Sequence, residues 1–191
     1  YKRQDKVYMI IGGKDLLNGK RFDKGGYILT YDYDKWSFID PKEAQKKLNL
    51  PRNPRDYTSI AVTTDDSNDE IVYASSMGDG VIQYKNGTPV QSYNEKNAFK
   101  ETAGGYGSGY CYIDGLAFDK NGNLWMTSSE VNHAVLVLDK AGAWHRLDIE
   151  QLRGVYTIND ILITSTNDKW IYVPRNTPKL VMIPNLSLIH I

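Results

Sequence analysis

Short apolar runs separated by polar turns recur along the whole chain. Leu116-Ala117-Phe118 and Leu124-Trp125-Met126 flank the turn Asp119-Lys120-Asn121-Gly122-Asn123. Asn-Gly between apolar runs is a strong hairpin signal, because a tight hairpin turn needs positive φ at its centre. Ala134 to Leu138, a polar turn with Gly142, and Trp144 to Leu147 complete four short strands in a row. The same pattern precedes it: Ser59 to Val62, polar Asp65 to Glu70, Ile71 to Ser75, Val81 to Tyr84, the turn Asn86-Gly87, and Val90 to Tyr93. It restarts at Asp160 to Ile163, with the turn Asn167-Asp168 and strands over Trp170–Val173 and Leu180–Ile183. A looser copy opens the chain, with Val7–Ile11, Tyr27–Tyr31 and Trp36–Ile39.

Anchored on the second strand of each unit, Tyr8, Tyr73, Trp125 and Ile171 stand 65, 52 and 46 residues apart. Four-stranded units at such intervals, with insertions in the longer ones, predict an all-β partial β-propeller of about three and a half blades. The expected blades cover 1–56 (incomplete), 57–112, 113–158 and 159–185 (incomplete). One insertion predicts a short helix over Pro41–Leu48, with Asp40 as N-cap, Pro41 at the first helical position and Pro51 and Pro54 ending it. The other runs from Asn94 to Tyr112 and carries the glycines Gly104, Gly105, Gly107 and Gly109. It is read as an inter-blade loop. No lysine stands among the glycines, and Tyr110-Cys111-Tyr112-Ile113 after them favours a strand, so a phosphate cradle is disfavoured. A propeller closes with about 4–8 complete blades, so the chain is expected to be part of a larger protein. The tail 186–191 continues no repeat and is expected to be non-native or unstructured.

Composition narrows the reading. Lys+Arg 23 balances Asp+Glu 23, leaving no overall field to attract nucleic acid. The single cysteine, Cys111, excludes an internal disulfide and Cys-cluster zinc sites, and its strand context suits a small buried apolar residue. No apolar run is long enough to span a membrane as a helix.

The stretches "YTSIAV … EIVYASSMGDGVIQYKNGTPVQSYNEKNA" and "IDGLAFDKNGNLWMTSS … AVLVLDKAGAW" resemble the two-component-regulator type of β-propeller repeat found in Bacteroidota. More narrowly, Tyr57 to Ile183 is similar to the surface propeller family of the type IX secretion system, the Z component of its sortase (attachment) complex. That resemblance implies export to the cell surface and a role in assembly and in binding anionic lipopolysaccharide, without catalysis. The expected partners are other secretion-complex proteins or a surface glycan. An alternative is the periplasmic glycan-sensing propeller of a hybrid histidine kinase. A second is a lactonase- or lyase-like propeller enzyme with a channel metal.

Candidate chemistry is sparse. His133, His145 and His190 fall in a loop, an outer strand and the tail, which favours surface or structural roles over metal ligation. Asp65 to Glu70 lacks the central glycine and distal glutamate of a calcium loop, so a solvated turn is favoured. Ser75-Ser76 and Ser128-Ser129 close second strands and lack a nucleophile elbow. The innermost strands carry few metal ligands, although Asp114 and Asp160 precede two of them. No catalytic residue, metal or cofactor is expected. Of the 14 tyrosines, Tyr106 and Tyr110 lie in the glycine-rich loop and are the candidate ligand or partner contacts, the others being expected to pack between blades.

Overall fold

Each repeat forms a sheet of antiparallel strands because its apolar runs are short and the turns between them are tight. The computed structural model describes residues 2–3, 6–15, 20–99, 109–175 and 177–185. The first blade is β1 (Lys2–Arg3), β2 (Lys6–Ile10), β3 (Ile28–Asp32) and β4 (Lys35–Ile39). The second is β5 (Tyr57–Thr64), β6 (Glu70–Gly78), β7 (Gly80–Lys85) and β8 (Thr88–Tyr93). The third is β9 (Cys111–Phe118), β10 (Leu124–Ser128), β11 (Val135–Leu138) and β12 (Trp144–Leu147). The fourth has three strands, β13 (Ile161–Ile163), β14 (Lys169–Val173) and β15 (Lys179–Ile183). The all-β partial propeller expected from the repeats is therefore the fold.

Several details depart from expectation. The first blade does have an opening strand, the two-residue β1, paired through Lys2↔Val7 and Arg3↔Lys6. The inter-blade connection ends at Tyr110 rather than Tyr112, because Cys111 and Tyr112 pair with Gly78 and Met77 and join blades two and three into one sheet. The repeat register also shifts. Equivalent turn closures run from Asp65 N to Asp69 O, Asp119 N to Asn123 O and Thr164 N to Asp168 O. They align Ile71, Trp125 and Trp170, so Tyr73 and Ile171 are not the structural counterparts of Trp125.

Three apolar clusters fill the seams between blades. Tyr8 and Ile28 meet Val62, Val72, Ile82 and Tyr84 between the first and second. Ile71, Tyr73 and Val81 meet Leu116, Met126 and Leu136 between the second and third. Trp125, Val135, Val137 and Leu147 meet Ile161, Ile171 and Ile183 between the third and fourth. Such interlocking apolar area, at about 25 cal/mol per Å², is the main force holding the blades together.

Helix α1 (Pro41–Leu48) has the expected bounds, and the Asp40 carboxylate accepts from the Lys42 amide. What ends it is Asn49, in the left-handed region at φ 50°, with the prolines lying farther on. The acidic run after β5 is a turn: Asp65 accepts the Ser67 and Asp69 amides, both at 2.9 Å. Lys85 bridges Asp65 and Asp69 at 2.7 and 2.8 Å, which is turn chemistry and leaves no ligand set.

Lys169 is completely buried at the third seam, its Nζ 4.4 Å from the Trp125 ring centroid and without a hydrogen-bond partner among the described residues. Burial holds its pKa below the ordinary lysine value. The folded state thus binds this proton less tightly than the unfolded chain, so stability should climb with pH in the alkaline window up to 10.5. Lys169→Met should keep or raise stability at neutral pH and abolish that climb, as read by denaturant titration across pH. A loss above about 2 kcal/mol would mean that the ammonium stabilises the seam.

Both outer flanks are apolar. Cross-strand pairing puts Met9, Leu29 and Phe38 in one row of the first blade, and Leu162, Trp170 and Met182 in one row of the fourth. Phe38 is 67% exposed and Leu162 63%. Flanks of this kind associate. The chain in isolation should therefore run as concentration-dependent oligomers in size exclusion. A monomer that melts cooperatively would contradict this.

Candidate functional site

The two ends of the blades differ. At one end the strands are joined by the tight turns 33–34, 65–69, 86–87, 119–123, 139–143 and 164–168. At the other end lie the connections 11–27, 40–56, 94–110, 129–134 and 148–160. Long connections on a rigid sheet scaffold are where binding residues concentrate.

At the centre of the long-loop end sits a buried ion pair that the sequence reading missed. Lys14, from the connection between β2 and β3, donates to Asp114 Oδ1 of β9 and to the Ile158 carbonyl at 2.9 Å. Gly12 makes this reach possible. Its φ is 125°, and a Cβ there would lie 2.5 Å from Asp56 Cα, so the connection lies flat on the start of blade two. The Ser129 hydroxyl donates to Asp114 Oδ2 at 2.6 Å and accepts the Ile158 amide at 2.8 Å. Burial dominates the Asp114 carboxyl and pushes it up to about 6 despite the Lys14 charge. A cavity of about 330 Å³ adjoins the pair, lined by Gly12, Tyr57, Thr58, Asn159 and Asp160 among others.

This arrangement bears on the channel-metal alternative. Asp114 is ion-paired to an ammonium, and Asp160 Oδ1 accepts the Ile161 amide at 2.9 Å. Among the described residues no group of three or more His, Cys, Asp or Glu side chains could hold a metal ion. The serine pairs are structural: Ser75 donates to the Asp114 carbonyl, Ser76 to the Arg55 carbonyl and Ser128 to the Tyr112 carbonyl. His145 of β12 has its Nε2 2.8 Å from Asp139 Oδ2 in the preceding turn, and His190 is outside the described residues. Cys111 is buried, which pushes its thiol up to about 12 and leaves it inert as a nucleophile.

Of the two candidate contacts, Tyr106 lies outside the described residues, as do Gly104, Gly105 and Gly107. Tyr110 is half-buried at the rim of the long-loop end, and desolvation raises its phenol pKa. One side of its ring packs on Met77 and Tyr112. Gly78, at φ 129°, leaves space for it, since a Cβ would stand 2.9 Å from the ring. Beside the connection is a second cavity of about 240 Å³, lined by Pro51, Arg52, Asp79, Glu95, Lys96 and Gly109. Arg52 pairs with Asp79 at 2.8 Å, and the Gly109 amide donates to Glu95 at 2.6 Å. No spacing in the sequence links Arg52, Asp79 and Glu95, which come from three separate connections.

No protein-family model matches the chain, and no curated protein matches it. Among solved structures, it is similar to PorZ, an essential bacterial surface component of the type-IX secretion system of Porphyromonas gingivalis. The TM-score is 0.76 at 20% identity, over 95% of this chain and 24% of that one. The chain therefore spans about a quarter of that protein's length. Looser likenesses are to an alpha-L-arabinofuranosidase from Clostridium thermocellum (TM-score 0.48, 8% identity, 95% of this chain and 65% of that one). Another is to the extracellular domain of a putative one component system from B. thetaiotaomicron (TM-score 0.39, 15% identity, 94% and 26%). What the PorZ likeness establishes is the fold: these residues are successive blades of a β-propeller of the kind found in that surface component.

Proposed function

We propose that the chain is a propeller segment of a non-catalytic binding and assembly scaffold, exported to the cell surface as a component of type IX secretion machinery. The observation that carries this reading is the long-loop end with Tyr110 at its rim. There a partly buried aromatic ring follows Gly109, which lines the second cavity, while Ser128, Ser129 and Asp114 are engaged in structural hydrogen bonds. An aromatic face on a fixed floor suits stacking on a sugar ring or clamping a protein partner, and neither use calls for acid–base chemistry. The fold shared with PorZ supports placing this surface among secretion-complex proteins and surface glycans.

The test is Tyr106→Ala with Tyr110→Ala in the full-length protein. Binding of purified lipopolysaccharide and recovery of complex partners should both be measured, alongside thermal stability. Binding weakened about tenfold or more at unchanged stability is expected, the size of a contact worth about 1.4 kcal/mol. Unchanged binding, or lost stability alone, would return both tyrosines to packing.

A further inference from the structure

Tyr110 does not hang free. Its ring meets Tyr112 edge to face, with centroids 6.3 Å apart and planes at 87°. Tyr112 is buried, and on its ring sits the Lys14 ammonium, 4.9 Å from the centroid. The ammonium is itself fixed by Asp114 and by the Ile158 carbonyl. A single stack thus runs from the first blade's connection, through the start of β9, to the rim. A cation over a tyrosine face holds the ring's position and plane, because the attraction follows the ring quadrupole. Tyr112 is therefore braced by the ammonium, and Tyr110 packs against it at a right angle.

We infer that Lys14 is the positioning residue of the Tyr110 contact surface, acting through Tyr112. The inference rests on the reading of Tyr110 as a contact, and its test separates the two.

In the full-length protein, Lys14→Met with Asp114→Asn removes both charges, so that neither is left buried alone, while Lys14→Arg keeps the cation. Tyrosines labelled with 3-fluorotyrosine give a ¹⁹F resonance for Tyr110, assigned with Tyr110→Phe. The charge-free variant should shift that resonance and bind purified lipopolysaccharide roughly threefold to thirtyfold more weakly, the range of cation–π contacts from exposed to desolvated. Its thermal midpoint should change little, and Lys14→Arg should restore both readouts. Adding Tyr110→Ala to the charge-free variant should bring no more loss than Tyr110→Ala alone, because the two changes remove one contact. An unmoved resonance and unchanged binding, with Tyr110→Ala still weakening binding, would overturn the inference. If Tyr110→Ala leaves binding unchanged, the contact reading itself fails. The resonance then decides the positioning role alone, a shift supporting it and none overturning it.

Discussion

Trp125→Ala, made in the full-length protein, should cost about 3–5 kcal/mol of unfolding free energy, the usual loss for deleting a buried aromatic. Trp125 is 1% exposed at the seam between the third and fourth blades. Its indole N–H donates to Asp119 Oδ2 at 2.9 Å. The same carboxylate accepts the Asn121 and Asn123 amides through Oδ1, so the indole is tied to the turn that starts its own strand. Removing the ring opens a cavity, leaves Asp119 one donor short and strips Lys169 of its aromatic face. Trp125→Phe should cost less, since it keeps most of the volume and loses chiefly the hydrogen bond, worth about 1–2 kcal/mol. Chemical denaturation measures both. A loss below about 1 kcal/mol for the alanine variant would show that the third seam does not depend on this ring.

Asp114→Ala should be comparably damaging. It leaves the Lys14 ammonium buried with only a carbonyl and an aromatic face, and breaking a buried pair from one side costs about 3–5 kcal/mol. Replacing both partners should cost far less, because no charge is then stranded. The pH dependence has a defined sign. The folded carboxyl titrates at about 6, above the ordinary 3.8, so the folded state binds this proton more tightly than the unfolded chain. Its contribution to stability is fully present in acid below about 4 and is lost as pH rises through about 6. Asp114→Asn should flatten the stability profile across that window. An unchanged slope would mean that the carboxyl is not buried as described.

The blade pattern was legible because its signals are local. A two-residue turn at Asn86-Gly87, a capped helix at Asp40-Pro41 and alternating apolar positions each act within a few residues. Register was less legible. β14 is apolar at every position after Lys169 although only alternate residues are buried, so Trp170 and Ile171 look interchangeable until hydrogen bonds set the parity. The strand character of Cys111 and Tyr112 was legible, but their pairing with Gly78 and Met77 was not, because it lies outside the range of turn signals. The Lys14–Asp114 pair was hidden for a plainer reason. Lys14 lies in a connection with no repeat, one hundred residues before its partner, and nothing near it predicts burial. For the candidate site, the sequence singled out Tyr106 and Tyr110, of which Tyr110 is among the described residues. The packing beneath the ring and the Arg52–Asp79–Glu95 cavity arise only when three connections meet.

The central claim is that the long-loop end of the blades is the contact face. Its most direct test is photo-crosslinking in the native host, with p-benzoylphenylalanine replacing Tyr110 in one strain and Asn121 in another. Asn121 lies in the tight turn 119–123 at the opposite end. The account predicts specific crosslinked species from position 110 and none from position 121. Crosslinks from 121 with none from 110 would contradict it.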